Sequence, residues 1–457
     1  MTDTICALAT APGGALGIIR ISGEQALEIL SRIFSKDLNG ASPNTIHYGH
    51  IVEHVPSVAL STQQTAIIDE VLVSVFRAPH SYTGEDAAEI SCHGSRYILN
   101  KVLELLIANG CRQAQPGEFT MRAYLNGKMD LSQAEAVADL IASTNRATHQ
   151  MAMSQLRGGF SSELSRLREQ LLRLTSLLEL ELDFSDHEDL EFADRSELTN
   201  IAKEIDKQIT HLVHSFETGQ ALKQGIPVAI VGKTNVGKST LLNRLLREDR
   251  AIVSDIHGTT RDTIEDTIDL QGITFRFIDT AGIRQTTDEV EQIGIERTYA
   301  SIQKARIVIW MIDEKPSQEE LSNMMLLSEN KKLIIARNKI DKAENKPFTL
   351  VKIPLIEISA KHGDHLADLE QAIYEAADIP TLTDTDIIVT NARHYDALTR
   401  ASHSLTNVLE GLQSGLSGDL LSEDLRDVLA ILSEITGGEI TPNEVLGNIF
   451  KSFCVGK

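Results

Sequence analysis

Residues 232–239 read Gly-Lys-Thr-Asn-Val-Gly-Lys-Ser, between a short apolar run at 227–231 and a helix-forming stretch at 240–246. A buried strand that breaks into such a loop and restarts as a helix leaves few choices of fold. It is the opening unit of an open α/β sheet, with the loop wrapped round an anion. Gly232 and Gly237 let backbone N–H groups, including those of Asn235, Val236 and Thr240, approach phosphate closely. Lys238 reaches the β/γ oxygens, and Ser239 offers its hydroxyl to Mg²⁺.

Three later motifs, in order, choose the nucleotide. Asp279-Thr280-Ala281-Gly282 follows an apolar strand at 274–278. Asp279 suits Mg²⁺ through water, and the Gly282 N–H suits the γ-phosphate, so this segment senses hydrolysis. Asn338-Lys339-Ile340-Asp341 follows a strand at 333–336. The Asp341 carboxylate accepts two N–H bonds from guanine N1 and N2, which adenine cannot supply. Leaving those acceptors unpaired is worth roughly 10³-fold in selectivity. Ser359-Ala360-Lys361 follows a strand at 355–358 and closes over the base. Together these spacings predict GTP rather than ATP.

The hydrolytic machinery departs from the Ras pattern. Residues 251–262 form a candidate first switch, in which Ser254, Asp255, Ile256, His257, Gly258 and Thr259 line the nucleotide. Thr260 gives Mg²⁺ a second hydroxyl. Ras-like proteins follow their Asp-x-x-Gly with a water-orienting glutamine; here that position is Ile283, which cannot hydrogen-bond water. Two readings of the nearby run Asp288-Glu289-Val290-Glu291 stand: a carboxylate that orients water, or the solvated start of a helix near Gln292. The transition state also needs positive charge. Arg261 and Arg284 are nearby, and are either one such source or surface and switch arginines. The other source is a K⁺ ion held by the Asn235 amide oxygen and carbonyls from 254–257, oxygen ligands of the kind hard cations take.

At 457 residues the chain has room for about three domains. No apolar run approaches the ~20 residues of a membrane span, and 1–10 reads as strand rather than signal peptide. Cys6, Cys92, Cys111 and Cys454 form no C-x-x-C pair, so neither a zinc site nor a disulfide framework is expected, and a cytoplasmic setting is. The net charge of −22 argues against nucleic-acid binding by charge alone; a basic partner would have to supply that surface.

Glycine-punctuated β-like runs at 17–22 and 69–76 mark residues 1–125 as an α+β domain. Helical periodicity then covers 126–217 (Leu131, Ala134, Val137, Ala138, Ile141; Leu164, Leu167, Leu171, Leu172, Leu174, Leu178) and 380–457 (Leu420, Leu425, Val428, Leu429, Leu432). The expected architecture is therefore an α/β P-loop GTPase domain, 218–379, inserted in an all-helical domain and preceded by an α+β domain.

This combination resembles the tRNA modification GTPase family MnmE (TrmE) over the whole chain. The resemblance rests on Tyr82-Thr83-Gly84-Glu85-Asp86, His93-Gly94, Pro116-Gly117-Glu118-Phe119-Thr120 with Arg122-Ala123, and Asp130-Leu131-Ser132-Gln133-Ala134-Glu135-Ala136. It extends to Asp255 with Gly258-Thr259-Thr260-Arg261-Asp262 and the ending Phe453-Cys454-Val455-Gly456-Lys457. The resemblance implies that the N-terminal domain binds 5-formyl- or 5,10-methylene-tetrahydrofolate through Arg20, Glu89, Lys128 and Lys457. It implies K⁺ at Asn235, Ser254, Ile256 and Thr259, with Glu291 as catalytic carboxylate beside Lys238. It implies a homodimer, and a partner, MnmG (GidA), that carries FAD and most of the tRNA-binding surface; this chain shows no G-x-G-x-x-G of its own after a strand. The expected outcome is a carboxymethylaminomethyl-type group at C5 of the wobble uridine, U34. Cys454 is either a thiol nucleophile in that chemistry or a small buried terminal residue. Ser254 stands where the family commonly has threonine, and His257 where it has a small residue. Two rivals are a ribosome-assembly switch, for which an appended basic RNA-binding domain is lacking, and a GTP-regulated folate transferase acting on another substrate.

Overall fold

In the computed structural model the described residues are 3–56, 63–183, 195–248, 266–278, 299–342, 353, 355–380, 386–438, 446, 449–451, 453 and 456. They divide into two compact units, one of residues 1–142, 155–206 and 400–457, the other of 143–154 and 207–399. Residues 143–154, 207–217 and 380–399 thus cluster with the span read from sequence as the GTPase domain.

The first unit begins with β1 (Ile5–Leu8), β2 (Leu16–Ser22), α1 (Ala26–Ile33), β3 (Thr45–Pro56), β4 (Gln63–Phe76), β5 (Ala87–His93), α2 (Arg96–Ala108), β6 (Arg112–Gln113) and α3 (Glu118–Leu125). The strands form one sheet in the order β3-β4-β5-β2-β1-β6, antiparallel except for the β1–β6 pair. Alternation decides the faces. Val71, Val73 and Val75 of β4 are buried with Ile19, Ile21 and Ile90 against Leu27 and Leu30 of α1 and Leu99, Val102 and Leu106 of α2. Leu72, one residue out of phase, is 47% exposed opposite Tyr48.

The chain continues through α4 (Leu131–Ala142), α5 (Arg146–Leu156), α6 (Gly159–Asp183) and α7 (Arg195–Gln224). On α6, Leu164, Leu167, Leu171, Leu174 and Leu178 are buried, a three-four repeat that keeps one stripe on the core. Leu172 is exposed, because it lies ~100° round the helix from Leu171.

The second unit carries β7 (Ile226–Gly232), α8 (Lys238–Glu248), β8 (Asp266–Leu270), β9 (Ile273–Phe277), β10 (Ile307–Ile312), α9 (Gln318–Leu327), β11 (Lys332–Arg337), β12 (Leu355–Glu357) and α10 (Leu366–Ala376). Its sheet runs β12-β11-β10-β7-β9-β8, all parallel but for the edge strand β8. The uninterrupted run Ile-Val-Ile-Trp-Met-Ile of β10 is buried throughout, as a strand covered on both faces must be. Ile307, Ile309 and Met311 enter one core with α8 and α10; Val308, Trp310 and Ile312 enter another. Helices α11 (Ala392–Ser414) and α12 (Gly418–Thr436) follow; α12 buries Leu421, Leu425, Val428, Leu432 and Ile435 at the same three-four spacing. No described helix is long and apolar enough to cross a membrane.

Candidate functional site

The phosphate loop leaves the carboxyl end of β7, a central strand with β10 on one side and β9 on the other. The chain turns to opposite sides of the sheet there, which opens a crevice at the strand ends. Asn235 has a left-handed backbone (φ 61°) and its side chain is exposed; Val236 is buried beneath it. Gly237 has φ 106°, and a Cβ there would lie 2.2 Å from the Asn338 amide nitrogen, so the position admits only glycine. Ser239 follows in the first turn of α8, with Thr240 exposed behind it.

Lys238 curls back into its own loop, where its ammonium donates to the carbonyls of Gly232 (2.6 Å) and Lys233 (2.9 Å). Burial pushes its pKa below the ordinary amine value. Among the described residues its partners are thus neutral oxygens, and a phosphate chain would supply the missing counter-charge. That is the chemistry expected of a site built for a polyanion.

The residues expected to recognise the base converge from the ends of β11 and β12. Asn338 is 4% exposed; its amide donates to the Val236 carbonyl (2.8 Å) and its Oδ1 accepts the Ala360 N–H (2.9 Å). One side chain therefore brackets the phosphate loop to the Ser-Ala-Lys loop. The Ser359 hydroxyl donates to Asp341 Oδ1 (2.8 Å) and holds that carboxyl below its ordinary pKa. Asp341 is kept charged, with Oδ2 3.9 Å from His362 Nε2. Lys339, at φ 68°, pairs with Asp313 at the end of β10 (2.7 Å). The Lys361 side chain is exposed beside this cluster. A charged acceptor held beside an anion-seeking loop suits guanine and phosphate together, with Mg²⁺ at the Ser239 end. Asp313 and the bracketing role of Asn338 escaped the sequence reading; the only signal was that Asp313 closes an apolar run.

Ser254, Asp255, Ile256, His257, Gly258, Thr259, Thr260, Asp279, Thr280, Ala281, Gly282 and Glu291 lie outside the described residues, as do Arg261, Arg284, Cys454 and Lys457.

A second cluster lies in the first unit. Arg20 and Glu89 are register partners on β2 and β5, and Arg20 donates to Glu89 Oε1 from both Nε (3.0 Å) and Nη2 (2.7 Å). Its third nitrogen donates to the Gly456 carbonyl (3.2 Å). The guanidinium lies over the rings of Tyr82 (5.4 Å) and Phe119 (5.6 Å), and burial raises the Tyr82 pKa. Lys128 donates to the Pro79 carbonyl (2.9 Å) and packs its stem beside Gly84. Arg20, Glu89 and Lys128 therefore all adjoin the turn at 82–84. Both Arg20 bonds fall on one carboxylate oxygen; among the described residues, Glu89 Oε2 accepts none. An open acceptor, a cation and an aromatic face suit a heterocycle with a donor edge and an anionic tail, so the donor set fits a folate.

Beneath it, the Arg122 guanidinium, 1% exposed, is shared among Asp3, Glu85 and Glu118. Arg112 adds a second cation to Asp3 and Glu118. This buried network, which pins the Pro-Gly-Glu-Phe-Thr segment beneath the 82–86 turn, was legible only as motif residues.

Residues 4–128 match the family described as GTP-binding protein TrmE N-terminus, and residues 131–454 match the MnmE helical domain. The tRNA modification GTPase MnmE of Phocaeicola vulgatus is 56% identical, over 100% of this chain and 99% of the relative. That of Bacteroides thetaiotaomicron is 55% identical over 100% and 99%. Among solved structures, the G domain of the T. maritima FeoB iron transporter is 27% identical over 33% of this chain and 98% of its own, at a TM-score of 0.25. Superposition at that level carries no weight beside the sheet order and loop geometry.

Proposed function

The chain belongs to the MnmE (TrmE) family of tRNA modification GTPases, and from that premise we propose that it uses GTP hydrolysis to drive modification of the wobble uridine of tRNA. The observation that carries the reading is the two-ended nucleotide site. A partly buried Lys238 ammonium without a carboxylate among its described partners stands at one end and a charged, Ser359-held Asp341 at the other, joined by Asn338.

In this reading Asp341 selects guanine, the phosphate-loop N–H groups and Lys238 bind the phosphates, and Ser239 with Thr260 holds Mg²⁺. Asn235, Ser254, Ile256 and Thr259 hold K⁺, which supplies the positive charge an arginine finger supplies elsewhere. Glu291 orients water in place of the glutamine lost to Ile283. The exposed left-handed turn at Asn235 supports the cation assignment, because it leaves the amide free to swing toward an ion.

Arg20, Glu89 and Lys128, with Lys457, bind the tetrahydrofolate that carries the one-carbon unit. Glu89 accepts from the pterin, and the cations meet the glutamate tail. The group added at C5 of U34 is of the carboxymethylaminomethyl type, and the FAD-bearing partner MnmG (GidA) shares the reaction and presents the tRNA. The chain works as a cytoplasmic homodimer. The exposed apolar residues Ile46, Tyr48 and Leu72, on the sheet face turned from α1 and α2, support dimerisation through the N-terminal domain.

GTP hydrolysis is measured in matched K⁺ and Na⁺ buffers for the wild type, Asn235→Ala and Glu291→Ala. The expected result is strong K⁺ stimulation that both substitutions abolish. A rate indifferent to K⁺ would refute the cation assignment and return Arg261 and Arg284 to consideration. Unmodified U34 in a deletion strain is the matching result for the tRNA; a normal wobble base would sink that part of the reading.

A further inference from the structure

His362 follows Ser359-Ala360-Lys361 directly, and no motif claims it. The turn that carries it is held from within and from α8. The Ser359 N–H donates to the Asp364 carbonyl (3.2 Å), and the Gly363 N–H to the Ser359 carbonyl (2.7 Å). Gly363 has φ 91°, and a Cβ there would lie 2.7 Å from Arg244 Nη2, so the end of the Arg244 side chain lies against the turn. The Ser359 hydroxyl joins this turn to the Asp341 carboxylate. It accepts the His362 N–H (3.4 Å) and donates to Asp341 Oδ1 (2.8 Å).

Ser359 thus engages one oxygen of Asp341. The other, Oδ2, lies 3.9 Å from His362 Nε2. That is too long for a hydrogen bond, so nothing holds a neutral imidazole there. An imidazolium is drawn in, and the two side chains, 53% and 27% exposed, have room to close the gap. The other charges around His362 do not stand in for Asp341. Lys361 precedes it on the turn as a like charge, and Arg244 donates from α8 to the His362 carbonyl (3.4 Å). Asp364 is exposed farther along the turn, and His365 pairs with Asp368 (2.9 Å). Among the described residues, Asp341 is the carboxylate within 4.0 Å of the ring, at 3.9 Å.

We propose that His362 sets the affinity for guanine through Asp341: the neutral imidazole leaves Oδ2 to the guanine N1–H and N2–H donors, and the imidazolium takes that oxygen from them. His362 is therefore a positioning residue, acting on the base through the carboxylate. The sign follows from linkage. The empty site binds the proton more tightly than the occupied one, so guanine releases it to solvent, and affinity falls as pH falls through the range in which imidazoles charge, about pH 8 to pH 5. The proposal rests on the GTPase reading above and adds a proton to its selection of the base.

The Kd for fluorescent GDP, measured on the full chain at pH 8.0 and pH 5.5, tests it. A wild type that takes up none at pH 8.0 would overturn the GTPase reading, and this proposal with it. Titration of the nucleotide's own phosphate is common to every variant, so the quantity read is the extra acid loss of the wild type over His362→Gln. That extra loss is expected to be about three- to fivefold, the upper end being the most a half-exposed ion pair is worth. His362→Lys, charged at both pH values, should bind GDP about three- to fivefold more weakly than His362→Gln at pH 8.0 and lose no more than it on acidification. On an Asp341→Asn background, with xanthosine diphosphate as the probe, adding His362→Gln should leave both Kd values unchanged. Equal acid loss in wild type and His362→Gln, a His362→Lys that binds as tightly as His362→Gln, or an extra loss that survives without the Asp341 carboxylate would overturn the proposal.

Discussion

Asn338 ties the phosphate end of the nucleotide site to its base end, and Asn338→Ala should loosen both at once. The substitution removes the bond to the Val236 carbonyl and the bond from the Ala360 N–H. Val236 and Ala360 are each 1% exposed, so both groups stay buried without a partner. Each such group costs about 1–3 kcal/mol, giving roughly 2–6 kcal/mol in total, divided between stability of the GTPase unit and affinity for nucleotide. Two measurements capture the sum: thermal denaturation without nucleotide, and the Kd for fluorescent GDP. At tenfold per ~1.4 kcal/mol, a loss expressed wholly in affinity is at least ~30-fold. A loss expressed wholly in stability lowers Tm by about 5 °C or more. Asn338→Asp should retain the Ala360 bond but set an oxygen against the Val236 carbonyl, so it is expected to be no better than alanine. If Asn338→Ala keeps its Tm within ~1 °C and its Kd within threefold, the bracket is not what holds the loops, and the reasoning fails.

Three further outcomes follow from the same geometry. Asp341→Asn presents an N–H to the guanine donors; GDP affinity should fall about 10³-fold and xanthosine diphosphate should overtake it, and a competition assay still favouring GDP would contradict the assignment. Lys238→Met removes an ammonium whose described partners are neutral carbonyls, so the nucleotide-free protein should lose no stability while its stabilisation by GDP disappears; a clear fall in the nucleotide-free Tm would show that the amine has another counter-charge. For Glu118, burial pushes the pKa up, but Arg112, the Gln115 N–H and Arg122 outweigh it and hold the carboxyl below its ordinary 4.5. A folded value below the unfolded one contributes stability above pH 4.5 that is lost as pH falls through the folded value. Urea denaturation from pH 7 to pH 3 should therefore show a steeper acid loss in wild type than in Glu118→Gln, and parallel curves would refute it.

The strand–loop–helix frame of the candidate nucleotide site was legible in the chain because its chemistry is local. A phosphate loop needs glycine, lysine and serine at fixed spacing between a strand and a helix, and 227–246 carries them in that order, as β7 and α8 confirm. The apolar runs before Asn338 and Ser359 became β11, buried from Ile334 to Arg337, and β12, which lies at the sheet edge and is only partly buried. The leucine spacing of α6 and α12 likewise declared most of the stripe that would be buried, though not that Leu172 and Leu420 would fall outside it.

What only the tertiary structure decided are the joins between segments far apart in sequence. Nothing near Asn338 says that its amide will reach Val236, 102 residues away, and nothing near Asn145 says that it will meet Thr274. Arg20 and Glu89 look like separate surface charges until the β2–β5 register sets them opposite each other. Residues 143–154 read as one more helical stretch, yet Ala147 belongs to the core of the GTPase unit. Periodicity reports the face a segment buries. Which partner that face meets is set by chain reversal and sheet order, and the single hydrogen bonds and close glycine contacts that then lock the pairing carry no periodic signal in the sequence.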